Sequence, residues 1–422
     1  MSLQMEANVV KTDGESLVYM TNLIIIAHKY PPFSGVGANR WAHLTQYLGQ
    51  MGYKLHVLTV DRGSVPIVHE NVIVHKVKSE PFYKLTSIKF KNRLLTSLFS
   101  FAVNKIRSVF WFDDEAQYWG KYLVPKILEV VEQYNVKVVI ATGHPFQANR
   151  WAAEAKIKSG GSFKLIQDIR DPWVHNPFKK YMFRWQFEKV KKWQEVALEV
   201  ADANVFVTSA LSHLITGGAR KSNVIENGHN FHVVAGNINN NTVKKGIIHA
   251  GTLANGRDVV AEPFFNACNN NPDILLGHSV HFYGRVSMWL LNKYKNLFDN
   301  NIFILHQPIS QKELTSKYVN SIFALQFNAK EYPYLVSTKI YEHPALGLST
   351  FSVNCGGAVD NLIKENDIGI SCIPCEVAIS NSLVEMFNRN DGKSLYNFAK
   401  RSSFKSKALE YNELIMRVLK EQ

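Results

Sequence analysis

Residues 23–60 read L-I-I-I-A, then H-K-Y-P-P-F-S-G-V-G-A-N-R, then W-A-H-L-T-Q-Y-L-G-Q-M-G-Y-K-L-H-V-L-T-V. The opening run is apolar without a break and of strand length, as a strand covered on both faces requires. Trp41, Leu44 and Leu48 follow at helical spacing, Gly52 ends the helix, and Leu55 to Val60 form a second apolar run. Strand, loop, helix, strand is a βαβ opening and predicts an α/β fold built on parallel sheet. Gly35, Gly37 and Arg40 stand where a dinucleotide fingerprint would lie, and Asp61 stands where its ribose acid would be. That keeps an NAD-dependent Rossmann dehydrogenase among the alternatives. Two details count against it: the glycines come well after the strand, past Pro31 and Pro32, and the fingerprint's third glycine is Arg40.

The same alternation continues outward. Residues 136–142, 164–169 and 203–208 are further strand candidates, and a second series starts at 246–250 and continues through 281–283, 302–305 and 321–326. Between the series lies an Asn-rich tract, 237–241, that reads as a linker. At about 150 residues per domain, 422 residues suggest two or three domains. The expected division is an extension over 1–22, a first Rossmann-like domain over 23–236, a second over 237–395, and terminal helices over 396–422.

The densest chemistry is at 334–347, Y-L-V-S-T-K-I-Y-E-H-P-A-L-G. Ser337 is placed to act as N-cap, so the first free N–H groups and Lys339 would meet one anion. Glu342, about one turn after Thr338, is placed to accept two hydrogen bonds from a vicinal diol. A phosphate cradle beside a diol acceptor suggests a nucleotide. The competing reading is an exposed i, i+3 ion pair on a helix. His144, in A-T-G-H-P-F, and Asp168, Arg170 and Asp171, in D-I-R-D-P-W, emerge at the carboxyl ends of presumed strands, where open α/β sheets bind ligands. Their plain alternatives are a structural histidine and a local Arg170–Asp171 ion pair. Trp119, Trp173 and Trp185 are either sugar-stacking surfaces or core.

Several of these segments together resemble glycosyltransferase family 4. They are Y-P-P followed by G-x-G-x-x-R and W-x-x-L-x-x-Y-L; A-T-G-H-P-F with R-D-P-W, which is similar to one subgroup; the I-E-N-G at Asn227 and Gly228; and K-I-Y-E-H-P-A-L-G followed by S-T-F-S-V-N and G-G. The resemblance covers most of residues 23–420. It implies the GT-B fold, two Rossmann-like domains facing across a cleft with C-terminal helices crossing back to the first. It further implies transfer of a sugar, with retention, from a nucleoside-diphosphate sugar, a UDP-sugar being the expected donor, to a saccharide or lipid-linked oligosaccharide. Under it, Gly35 and Gly37 lie near the donor phosphates and transferred sugar, and Ser337, Thr338 and Glu342 hold the nucleotide. The loops carrying Gly284 and Gln307 wall the base. Lys339, Arg257 and His144 serve the reaction, and Asp168, Arg170 and Asp171 face the acceptor.

Two departures stand out. The arginine usual two residues into the first loop of the second domain is Thr252, which leaves Arg257 as the diphosphate cation. The first of the family's two glutamates is Tyr334, which retains a hydroxyl for the sugar and no carboxylate. A catalytically weak nucleotide-sugar-binding partner subunit is therefore a second alternative. The family needs no bound metal, and no D-x-D triplet occurs in this chain.

Composition adds limits. With 46% hydrophobic and 20% charged residues the chain reads as globular, and no run of about 18 apolar residues marks a membrane span. The start lacks the apolar core of a signal peptide, so a cytoplasmic location is expected. The four cysteines, Cys268, Cys355, Cys372 and Cys375, carry one C-x-x-C and no histidine partners, so they are read as reduced, mostly core thiols rather than a zinc site. The net charge of +13 lies mostly in the first half. Residues 81–112 hold Lys84, Lys89, Lys91, Arg93, Lys105 and Arg107, no acid, and many bulky apolar residues. That pattern suits helices at an anionic membrane surface on the inner face of the plasma membrane, or equally a helical pair on the core. Nucleic acid is not expected as a partner, since no recognised binding module is present.

Overall fold

A computed structural model describes residues 21–33, 35–61, 70–79, 99, 103, 108–177, 179–218, 221–233 and 246–421. Nearly all of the extension over 1–22, most of the basic stretch 81–112, the tract 237–241 and the expected boundary at 236 lie outside the described residues. By its contacts the chain divides into two units: Met1–Val207 with Ile215–Ile225 and Ala408–Gln422, and Thr208–Leu214 with Glu226–Lys407.

The first unit is built on seven parallel strands: β1 (Asn22–Ile26), β2 (Lys54–Val60), β3 (Val72–Val77), β4 (Val138–Gly143), β5 (Lys164–Ile169), β6 (Ala203–Phe206) and β7 (Ser222–Val224). They lie in the order β3-β2-β1-β4-β5-β6-β7. The apolar run at the start becomes β1 because it sits mid-sheet: Leu23, Ile24, Ile25 and Ile26 are all fully buried, paired with β2 on one side and β4 on the other. Helices α1 (Val36–Gln50), α2 (Gly120–Tyr134), α3 (Gln147–Lys158) and α4 (Arg184–Val200) belong to this unit. Trp41, Leu44 and Leu48 form the buried stripe of α1. From Ala408 onward the last helix, Phe404–Lys420, also belongs to it, with Tyr53 donating to Asn412 at 2.6 Å.

The second unit repeats the plan with six parallel strands: β8 (Ile247–Ala250), β9 (Val280–Tyr283), β10 (Phe303–His306), β11 (Ala324–Phe327), β12 (Thr350–Val353) and β13 (Gly369–Cys372). Their order is β10-β9-β8-β11-β12-β13. Counting from each unit's first strand, both sheets follow the doubly wound order, with the topological switch between β1 and β4 in one and β8 and β11 in the other. Helices α5 (Arg257–Asn270), α6 (Lys339–Ala345) and α7 (Ala358–Asn366) start at the carboxyl ends of this sheet.

Three sequence expectations meet the structure here, and the first changes. Cys268 and Cys372 are buried, but Cys355 and Cys375 are exposed, so only half of the thiols are core. Trp119 and Trp173 are core side chains at 1% exposure, whereas Trp185 is exposed. Among the described residues no helix is long and apolar enough to cross a membrane.

Candidate active site

In the second unit the loops after β8 and β11 open at the switch point. Gly251 N–H donates to the Tyr283 carbonyl at 2.9 Å and Leu253 N–H to that of Arg285 at 2.8 Å, which zips the β8 loop to the β9 loop. Gly284 has φ 139°, and a Cβ there would lie 2.2 Å from the Gly251 carbonyl oxygen, so the approach requires glycine. The loop after β11 is held on both sides. Glu331 packs against Gly256, and Ala358 N–H donates to the Pro333 carbonyl at 2.6 Å.

That loop delivers Lys339 and Glu342 on α6. Both are half-buried, and neither side chain has an ion pair or hydrogen bond among the described residues, so the exposed i, i+3 pair does not form. Burial lowers the Lys339 pKa, with Arg257 adding to the effect and Glu342 opposing it. Burial likewise raises that of Glu342 against the pull of Lys339. Each is a desolvated charge whose side chain has no hydrogen-bond or ion-pair partner among the described residues, an arrangement that a ligand of matching chemistry relieves. Arg257, the first residue of α5, is exposed beside them.

The expected cap is corrected. Thr338, not Ser337, holds the N-cap position, already in helical conformation and without a side-chain cap bond. The turn starts from main-chain carbonyls instead: Ile340 N–H donates to Ser337 at 3.1 Å and Tyr341 N–H to Thr338 at 3.0 Å. A capping hydroxyl needs the extended backbone that Thr338 lacks. Tyr334 is 8% exposed, and its carbonyl accepts from Thr208 Oγ1 at 2.6 Å. Gly284 and exposed Gln307 directly follow β9 and β10, where Tyr283 stacks on His306 with ring centres 4.3 Å apart.

Beneath Lys339 lie two histidines that sequence reasoning missed. His249 is 2% and His343 1% exposed. His249 Nδ1 bonds the Leu325 carbonyl at 2.9 Å and His343 Nδ1 the Thr350 hydroxyl at 2.9 Å, while neither Nε2 has a partner among the described residues. Burial drives their pKa values down to about 4 and about 3, and neighbouring charges, Lys339 among them, add to the effect. The His343 ring lies 5.0 Å from that of Tyr318, whose pKa is raised by burial and then by the Glu342 charge. The one available signal was that His343 directly follows Glu342 in the chain.

In the first unit a cavity of about 210 Å³ lies at the β1–β4 switch point, and Gly35, Gly37, His144, Arg170 and Asp171 all line it, together with Lys29 and Thr142. Arg170 lies over Gly37: a Cβ there would sit 2.4 Å from the guanidinium nitrogens and push the arginine aside. Arg170 also donates to Thr142 Oγ1 at 3.3 Å and to the His144 carbonyl at 3.4 Å. The space that a dinucleotide pyrophosphate would take over this glycine is thus filled by a side chain. Arg170 and Asp171 form no ion pair with each other among the described residues. His144 is exposed at the cavity. Loss of water around the ring lowers its pKa, Lys29 and Arg170 push the same way, and Asp171 and Glu115 oppose them.

Asp168 is the second correction. It is fully buried rather than lining the cavity. Its carboxylate accepts from Trp41 Nε1 at 2.8 Å, Thr142 Oγ1 at 2.8 Å and the Tyr411 hydroxyl at 2.9 Å, with Arg40 Nη2 at 3.8 Å. Arg40, also fully buried, donates to the Ile225 carbonyl at 3.0 Å. Asp168 lies inside β5 and points into the packing, whereas Arg170 and Asp171 lie beyond the strand's end and reach the cavity. Its work is to tie α1, β4 and the last helix to β5. Among the described residues no group of three His, Cys, Asp or Glu side chains is placed to hold a metal ion.

No protein-family model matches the sequence, and no curated protein matches it. Solved structures do match it in fold. A lipopolysaccharide outer core galactosyltransferase, WaaB, superposes with a TM-score of 0.61 at 12% identity over 94% of this chain and 99% of its own. A glycosyltransferase from Rickettsia africae gives 0.58 at 15% identity over 96% and 100%. The catalytic domain of starch synthase IV from Arabidopsis thaliana, bound to ADP and acarbose, gives 0.60 at 10% identity over 95% and 100%. Two doubly wound parallel sheets and these neighbours together establish that the chain has the GT-B fold of glycosyltransferases.

Proposed function

We propose that this chain is a glycosyltransferase that moves a sugar, with retention at the anomeric carbon, from a nucleoside-diphosphate sugar to a saccharide or lipid-linked oligosaccharide. A UDP-sugar is the donor we infer. The observation that carries the reading is the pair Lys339 and Glu342, desolvated and unpaired at the switch point of the second sheet. In the reaction the bond from the anomeric carbon to the β-phosphate oxygen breaks, the acceptor oxygen takes its place and the acceptor proton leaves. Lys339 and Arg257 neutralise the charge gathering on the diphosphate, so the reading requires no divalent cation. Glu342 accepts from the ribose diol, Thr338 and Ser337 lie beside the phosphates, and Gly284 and Gln307 border the base. In the first unit, Gly35, Gly37 and the neutral His144 serve the transferred sugar, while Arg170 and Asp171 serve the acceptor. The setting we propose is cell-envelope polysaccharide synthesis at the cytoplasmic membrane face, with the basic stretch 81–112 as a peripheral anchor.

Calorimetry with UDP, GDP and NAD, with and without magnesium, tests the reading. Metal-independent binding of UDP or GDP supports it, and binding of NAD alone returns the first unit to the dehydrogenase reading. One observation favours a second reading, a nucleotide-sugar-binding subunit with weak turnover: Tyr334, buried, stands where the family that the sequence resembles carries a glutamate. Nucleotide binding without transfer across a panel of acceptors would select it.

A further inference from the structure

The imidazole of His249 is held in one tautomer. The Leu325 carbonyl can only accept, so Nδ1 carries the proton in their 2.9 Å bond and Nε2 presents a lone pair. That lone pair is buried and has no partner among the described residues. It is aimed at the floor of the crevice: the point where a Gly251 side chain would begin lies 3.8 Å from His249 Nε2 and 3.7 Å from Lys339 Nζ. Gly251 has no side chain, so this point stays open between a cation that only donates and a nitrogen that only accepts.

The pairing selects the group that fits. A phosphate oxygen at neutral pH brings lone pairs alone, so it would satisfy Lys339 and face the His249 lone pair unfavourably. A hydroxyl both accepts and donates, and it satisfies the two at once. We propose that the space over Gly251 is a hydroxyl subsite, in which one hydroxyl of the bound nucleotide sugar accepts from Lys339 and donates to His249 Nε2. The inference rests on the nucleotide-sugar reading above and adds to it a specific acceptor. The other Lys339 protons remain available to the diphosphate. The hydroxyl comes from the transferred sugar, because each ribose hydroxyl has one proton and Glu342 takes both.

The test is calorimetry on the full chain and on His249→Phe, which keeps a ring and removes the acceptor. The probes are UDP and UDP-glucose, or GDP and GDP-glucose where guanine is the base bound. Loss of this hydrogen bond is expected to weaken binding about tenfold. Weakening of the glucose ester alone supports the subsite, and equal weakening of the free nucleotide and its glucose ester overturns it. A folded His249→Phe protein that binds both as tightly as the parent overturns the subsite and leaves the nucleotide-sugar reading intact. Failure of the parent chain to bind any nucleotide removes both. Should the variant not fold, the parent chain is titrated with the monodeoxy glucose esters. One analogue is expected to lose about tenfold, and equal affinity throughout overturns the proposal.

Discussion

Asp168→Asn separates scaffold from site in the first unit. The carboxylate accepts three hydrogen bonds, from Trp41, Thr142 and Tyr411, and lies 3.8 Å from a fully buried guanidinium. Asparagine keeps the shape and one acceptor oxygen but removes the charge. Arg40 keeps its bonds to the Ile225 carbonyl and the Tyr411 hydroxyl but loses the Asp168 charge. Breaking a buried pair from one side costs about 3 to 5 kcal/mol. The neutral bonds that Arg40 retains place this case at the lower end, about 3 kcal/mol. For a unit of this size each kcal/mol moves the melting temperature by about 2 to 4 °C, so a fall of about 6 to 12 °C is expected. Tyr411→Phe removes a donor to Asp168 and a long acceptor contact to Arg40 and is expected to cost about 1 to 2 kcal/mol, a few degrees. Thermal unfolding followed by circular dichroism reads both. An Asp168→Asn protein that melts with the parent but has lost transfer activity would refute the scaffold assignment and return Asp168 to the substrate.

Three further outcomes are expected. Glu342→Ala should lose about 1.5 to 3 kcal/mol of nucleotide affinity by calorimetry, the scale for a charged hydrogen-bond partner, and unchanged affinity in a folded protein removes the diol assignment. Acid should weaken the second unit. His249 and His343 take up protons near 6.5 when unfolded but only near 4 and 3 when folded, so their contribution is fully present above pH 6.5 and is lost as pH falls toward 4. The slope is about 1.4 kcal/mol per pH unit for each histidine. Urea midpoints taken between pH 7 and 4.5 check it, and a flat profile contradicts the buried neutral state. Removing the charges of Lys89, Lys91 and Arg93 should reduce sedimentation with anionic vesicles, and unaltered binding excludes the basic stretch as the anchor.

The fold was legible because fully covered parallel strands need unbroken apolar runs, and L-I-I-I-A can hardly be placed elsewhere than mid-sheet. The glycine loop, His144, Arg170 and Asp171 were legible as cavity-lining residues for a related reason: they lie in the connections that leave the carboxyl ends of strands, and those ends gather at the switch point whatever the rest of the chain does. Lys339 and Glu342 stood out by spacing. What spacing did not reveal was that they stay unpaired, because that depends on burial by loops fixed at Gly256 and Gly357.

The misses share a different cause. The cap was misplaced by one residue, since whether Ser337 or Thr338 leaves the helical conformation is settled by the loop before them and not by either side chain's preference. His249 looked like an ordinary strand residue. Its fixed tautomer comes from Leu325, on a strand adjacent in the sheet but distant in the chain. Asp168 is the sharpest case, because two residues farther along the same segment Arg170 does line the cavity. Arg170 lies past the last residue of β5, where backbone pairing no longer dictates direction. Asp168 is still inside the strand, where the pleat directs its side chain into the packing. Whether a carboxylate there is tolerable depends on partners from α1, β4 and the last helix, the farthest of them Tyr411. A motif such as R-D-P-W therefore identifies a strand end reliably, but the residue at which structure gives way to site is set by the length of the strand, which only the assembled sheet determines.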